Sequence, residues 1–181
     1  MKMLKTLTTC AAASVALIHT QTLPGFAQQT AKLGDDEIAS VAVVANKNDI
    51  GFARIAEKKS KNADILQFAK TMASDHQSVI DQAVALVTKL KVTPKDNAVS
   101  KKMTADAKKT EKMLNSKSGA AFNKAYIDNE VVYHKAVISA VETVLIPQAR
   151  NAELKSLLQA VVPTLKAHLE HADMLQSKFT K

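Results

Sequence analysis

Residues 65–90 read ILQFAKTMASDHQSVIDQAVALVTKL, and the apolar positions Ile65, Phe68, Met72, Val79, Ala83, Leu86 and Leu90 recur at steps of three or four. That spacing marks one face of an α-helix turned towards a core, since side chains about 3.6 residues apart return to the same side. In this stripe His76 stands where a leucine is expected. The segment is therefore a buried-face helix with an imidazole near its midpoint.

Working outwards, Asn62 supplies an N-cap before the stripe, and Val92-Thr93-Pro94 stops the helix. Upstream, Gly34-Asp35-Asp36-Glu37 places acids at a helix N-terminus. The stripe that follows, Ile38, Val41, Ala45, Asn48, Phe52 and Ile55, runs to about Ser60. A short turn joins the two segments, which predicts an antiparallel hairpin. A third long helix is predicted from Ala120 to Leu145, with Phe122, Tyr126, Glu130, Tyr133, His134, Val137, Val141 and Val144 on or beside one face, ended by Pro147. The fourth begins near Asn151-Ala152-Glu153 and carries Leu154, Leu158, Val161, Leu165, His168, Ala172, Leu175 and Phe179, with a kink expected at Pro163.

Residues 95–117 are of another kind, with seven lysines against three acids and a thin stripe of Val99, Met103, Ala107 and Met113 or Leu114. They read as a short amphipathic crossover helix lying across the other four. Two antiparallel hairpins joined by one long connection predict an all-α, ferritin-like four-helix bundle. Glycine and proline are too sparse after residue 27, at Gly34, Gly51, Gly119, Pro94, Pro147 and Pro163, for an all-β chain.

The first residues have a different purpose. Lys2 and Lys5 precede an apolar run from Leu7 to Ile18, and Leu23-Pro24-Gly25-Phe26-Ala27 offers small residues for cleavage. This is the pattern of a secretory signal peptide over residues 1–27, leaving residues 28–181 as one exported domain in the periplasm or at the outer membrane. Cleavage removes Cys10, the only cysteine, so no disulfide is expected. No later run is long and apolar enough to span a membrane. The net charge of +8 for the whole chain falls by two when Lys2 and Lys5 leave. A basic envelope protein can meet anionic membrane surface, with the crossover lysines Lys101, Lys102, Lys108 and Lys109 as the contact. Nucleic acid is not expected: tryptophan is absent and aromatic residues are few.

Histidines 76, 134 and 168 each fall on the inward face of a different helix, and each lies near its helix midpoint. Helices of similar length packed side by side bring such midpoints to one level. Asn48 and Asp49 join that level from the first helix, and Glu130 lies one turn before His134. Three imidazoles and a carboxylate suit a divalent metal such as zinc, iron or copper, and His76, His134, His168, Asp49 and Glu130 are the candidate ligands. Asp75 or Glu130 can orient the imidazoles. His171 falls off the stripe and is expected to flank the site. The opposing reading is a buried hydrogen-bonded network that fixes helix register. A dinuclear carboxylate site needs Glu-x-x-His, which is absent, so an oxidase is disfavoured. No phosphate loop or activated nucleophile is present either, and the chain reads as a non-enzyme.

Phe68-Ala69-Lys70-x-Met72-x-x-Asp75-His76, Gly119-x-x-Phe122-x-x-Ala125-Tyr126 with His134, and Pro163-x-Leu165-x-x-His168-Leu169-x-x-Ala172 together resemble the bacterial family called domain of unknown function 4142. The resemblance spans about Asp36 to Leu175. It implies an exported protein, often labelled an outer membrane protein, of the ferritin-like superfamily and without an established activity. It marks Asp75, His76, His134 and His168 as pattern residues. The chain departs from the pattern at Tyr133, where an aspartate is common, and at Glu130, where an apolar residue is usual.

Overall fold

The computed structural model describes residues 32–179; the predicted leader, with Cys10 and His19, lies outside the described residues. Those residues are all-helical, with no strand among them. The elements are α1 (Asp35–Lys59), α2 (Ala63–Leu90), α3 (Ala98–Asn115), α4 (Gly119–Ala140), a π-helical turn (Val141–Leu145), α5 (Ile146–Gln148) and α6 (Ala152–Phe179).

Local chemistry sets these boundaries. Asn62 Oδ1 accepts from the Ile65 amide at 3.1 Å, and Asn97 Oδ1 caps α3 at the Val99 and Ser100 amides while Ser100 Oγ accepts from the Asn97 amide. Asn151 Oδ1 accepts from the Glu153 and Leu154 amides to start α6. Lys91 closes α2 in the left-handed region at φ 52°. The Asp35 carboxylate accepts from the Arg150 and Asn151 amides, which fastens the start of α1 to the start of α6.

Ion pairs and polar contacts fix the relative directions. Asp64–Lys178, Asp75–His168 and Lys89–Glu153 set α2 antiparallel to α6. Asp128–Gln176, Lys135–Asp173 and Glu142–Lys166 do the same for α4 and α6. Tyr133 Oη donates to the Ala45 carbonyl at 2.8 Å, and Ser60 Oγ donates to Asn123 Oδ1, so α1 and α4 are antiparallel as well. It follows that α2 and α4 run the same way, and the chain must travel the length of the molecule between them. Helix α3 does this.

Two expectations change. Instead of lying across the other helices, α3 runs along α1: Asn97 Nδ2 donates to the Glu37 carbonyl, Asn48 Nδ2 to the Met103 carbonyl, and Lys59 Nζ to the Asn115 carbonyl. Pro147 does not end the third long helix, which continues to Gln148. The π turn just before it bonds the Ile146 amide to the Val141 carbonyl, and the proline sits within α5, in the last turn of the rod. Pro163 lies inside α6, as the sequence places it, at an exposed position.

The core divides at mid-length. One half holds Phe52, Phe68, Met72, Phe122, Tyr126 and Ile127, with Phe68 edge-on to Tyr126 at 6.1 Å. The other is aliphatic, with Val41, Ala45, Val137, Val141, Leu154, Leu158 and Leu165. The polar residues lie between the two halves.

Candidate metal centre

The stripe that makes each long helix amphipathic carries polar residues to the same depth, one each on α1, α2 and α6 and two on α4. Asp49 comes from α1, His76 from α2, Glu130 and His134 from α4, and His168 from α6. Asp49, Glu130 and His134 are 0 % exposed, His76 4 % and His168 5 %. The imidazole centroids form a nearly equilateral triangle with sides of 5.6 Å for His76–His134, 5.3 Å for His76–His168 and 5.5 Å for His134–His168. Asp49 Oδ2 lies 3.5 Å from His76 Nε2 and 3.8 Å from His134 Nε2.

Each ring is oriented by an acceptor on its outer nitrogen. His76 Nδ1 is 2.7 Å from Asn46 Oδ1, and the Asn46 amide nitrogen in turn donates to the Ala42 carbonyl, so Asn46 presents its oxygen. His134 Nδ1 donates to the Glu130 carbonyl at 3.0 Å. His168 Nε2 donates to Asp75 Oδ2 at 3.0 Å. A nitrogen that faces an acceptor carries the proton, so the other nitrogen of a neutral imidazole holds a lone pair. The lone pairs are therefore on His76 Nε2, His134 Nε2 and His168 Nδ1. These three nitrogens have no hydrogen-bond partner, nor do Asp49 Oδ1 and Oδ2, Glu130 Oε2 and Tyr126 Oη.

Burial and mutual charge set the protonation states. Burial, reinforced by His168, lowers His76 to about 3. Burial also lowers His134, against the attraction of Asp49. Both rings are neutral at pH 7. Burial raises Asp49, opposed by His134 and His168, and raises Glu130 well above the ordinary carboxylate range, helped by the charge of Asp49. Glu130 thus sits beside Asp49 as the more readily protonated carboxyl, with Oε2 3.6 Å from His134 Nδ1.

A tetrahedral ion about 2.1 Å from each ligand separates neighbouring ligand atoms by about 3.4 Å. The Asp49 distances to His76 and His134 are close to that edge, and one nitrogen from each ring lies within 4.8 Å of the others. A second group, Asp49, Glu130 and His134, meets the same limit. It shares His134 with the first, and His134 Nδ1 is already engaged with a carbonyl. The atoms left without a partner include Asp49 Oδ2, close to two of the rings, and the three lone pairs.

The five predicted residues are all brought together, while Asn48 is not among them. Its side chain turns to α3, and Asp49 takes the inward position. Asp75 orients the imidazole of His168 on α6, not that of its sequence neighbour His76. Asn46 was missed: its signal was its spacing, three residues before Asp49 on the same helical face. His171 stands edge-on to Phe68 at 5.1 Å. Among the described residues no helix is long and apolar enough to cross a membrane.

No curated protein and no solved structure matches the chain. A family model does match, over residues 20–175. The three histidine-bearing blocks fall within that span, and the chain belongs to the family described as domain of unknown function (DUF4142).

Proposed function

We propose that this protein binds one divalent transition metal ion, zinc, iron or copper, through His76 Nε2, His134 Nε2, His168 Nδ1 and the Asp49 carboxylate. The observation that carries this reading is the convergence of unpartnered buried atoms. A network kept only to fix helix register has its polar atoms paired. Here the outer nitrogen of every ring is paired and the inner one is left with a lone pair. Outer hydrogen bonds that fix the tautomer and leave the inner nitrogen free are the usual support of metal-ligating histidines.

Asp49 and the three imidazoles supply four ligands, to which zinc can add a fifth, and the role we propose is binding without catalysis. Glu130 holds its proton beside the site and acts on Asp49 by charge and hydrogen bonding. In this reading the four long helices form a ferritin-like bundle, supported by the two antiparallel hairpins and the connecting α3. The protein is exported, supported by the leader-like residues 1–27. Its place is the periplasm or the outer membrane.

The test is metal retention on purification without added chelator, compared with a His76→Ala, His168→Ala double variant. Roughly one equivalent in the wild type and none in the variant support the proposal. A wild type free of metal and indifferent to added zinc, iron and copper overturns it.

A second reading concerns α3. Lys101, Lys102, Lys108, Lys109 and Lys112 are exposed on it, and only Asp106 and Glu111 offset them along that helix. We propose contact with anionic membrane surface through this face. Reversing the charge of Lys101, Lys102, Lys108 and Lys109 should weaken binding to anionic vesicles, and unchanged binding contradicts it.

A further inference from the structure

Between the histidine layer and the far ends of α2 and α4 the core is incompletely filled. Of the large aromatic residues of the interior, Phe52, Phe68, Phe122 and Tyr126 lie in the opposite half, and Tyr133 lines this one beside the histidine layer. This half is built from smaller side chains such as Val41, Ala45, Ala83, Val137 and Val141, and leaves an internal gallery of about 60 Å³. His76, His134, His168 and Asp49 line one end of it. Along the seam between α2 and α6, Val79, Leu86, Leu157 and Val161 are only half-buried while lining the same space, which gives it a mouth. The π turn Val141–Leu145 contributes to the wall, and such turns are frequent where a helix is shaped around a site.

We infer that this gallery takes the alkyl chain of a short, unbranched monocarboxylate, with the carboxylate head on the metal ion. The inference rests on the metal-binding proposal. A divalent ion with the Asp49 carboxylate and three neutral imidazoles carries one net positive charge, which fits a monoanion, and zinc accepts a fifth ligand. The gallery walls are almost wholly apolar, a lining that favours hydrocarbon over water. Its volume sets the length. On this measure a water-sized group needs about 10–15 Å³, so the space takes roughly four to six methylene-sized groups.

The experiment uses the cobalt(II)-loaded protein, with acetate, butyrate and octanoate as probes and the visible spectrum of the metal as readout. Burial of a methylene group is worth about fourfold in affinity, so butyrate should bind about 15-fold more tightly than acetate. Octanoate, too long for the gallery, should gain nothing further. Ala83→Leu, which fills the space, should erase the advantage of butyrate and leave acetate unchanged. Leu157→Ala, at a half-buried position that the fold tolerates, should move the optimum to a longer chain. Equal binding of acetate and butyrate, or a chain-length profile that both variants leave unchanged, overturns the inference. If Ala83→Leu does not fold, Leu157→Ala alone decides. Cobalt content is measured on the same samples: a protein that takes up none overturns both proposals, and a loaded protein indifferent to chain length overturns this one alone.

Discussion

Replacing Asp49 by asparagine should stabilise the metal-free protein and remove its response to metal, two effects of opposite sign from one side chain. Asp49 is 0 % exposed and its carboxylate is offered no donor but the proton held on Glu130, so without an ion the fold carries an incompletely satisfied buried carboxylate. Leaving such a group unsatisfied costs about 1–3 kcal/mol. An asparagine amide can donate to the lone pair of His76 Nε2, which lies 3.5 Å from the present Oδ2 position. For a domain of this size each kcal/mol moves Tm by about 2–4 °C, so the variant should melt roughly 2–12 °C higher in chelator. Zinc at 100 times its Kd should stabilise the wild type by about 2.7 kcal/mol, and the variant by much less because the charged ligand is gone. Scanning calorimetry in chelator and then in zinc should therefore show the order of the two melting temperatures reverse. An asparagine variant that melts lower in chelator, or gains as much from zinc as the wild type, would refute the reasoning.

The pH dependence of the metal-free fold tests the same cluster. His76, at about 3, and the lowered His134 refuse protons that the unfolded chain accepts, so they weaken the fold as pH falls below 6.5. Glu130 and Asp49 are raised, keep protons that the unfolded chain has lost, and weaken the fold as pH rises above the ordinary carboxylate range. The two effects oppose each other between about pH 4.5 and 6.5. Glu130→Gln removes one of the carboxyls, so urea denaturation should show its stability falling more steeply on acidification across that window, by up to about 1.4 kcal/mol per pH unit. Parallel curves for the two proteins speak against a proton held on Glu130. Asn46→Ala frees the outer nitrogen of His76 and should weaken zinc binding about 10- to 100-fold in a chelator competition, with unchanged affinity as the contrary result. Tyr133→Phe removes the bond to the Ala45 carbonyl and should cost about 0.5–1.5 kcal/mol in denaturant titrations while metal content stays the same.

The long helices were legible because apolar spacing and end signals agree: Asn62 and Asn151 cap where expected, and the stripe of α2 is buried from Ile65 to His76 and partly buried beyond it. The level of the three histidines was legible too, since it needs only helix midpoints and direction. The finer facts needed three dimensions. Helical phase alone did not choose between Asn48 and Asp49, which are neighbours 100° apart. The choice depends on α3 lying along α1, where the Met103 carbonyl takes Asn48 away. Asp75 was readable as an orienting group but not its partner, because α6 is 93 residues away in sequence. The basic composition of 95–117 described a solvated face without its direction. The position of Asn97, bonded to the Glu37 carbonyl at the start of α1, sets that direction. The path at Pro147 was misread because a missing amide was taken as a stop, whereas a π turn carries the helix to it.

The central claim is that the unpartnered atoms of Asp49, His76, His134 and His168 face one ion, and the metal content of the natively purified protein tests it most directly. Elemental analysis should find about one zinc, iron or copper per chain in the wild type and none after His76→Ala with His168→Ala. A wild-type protein that carries no metal, takes up none when offered, and is no less stable for lacking it would contradict the claim.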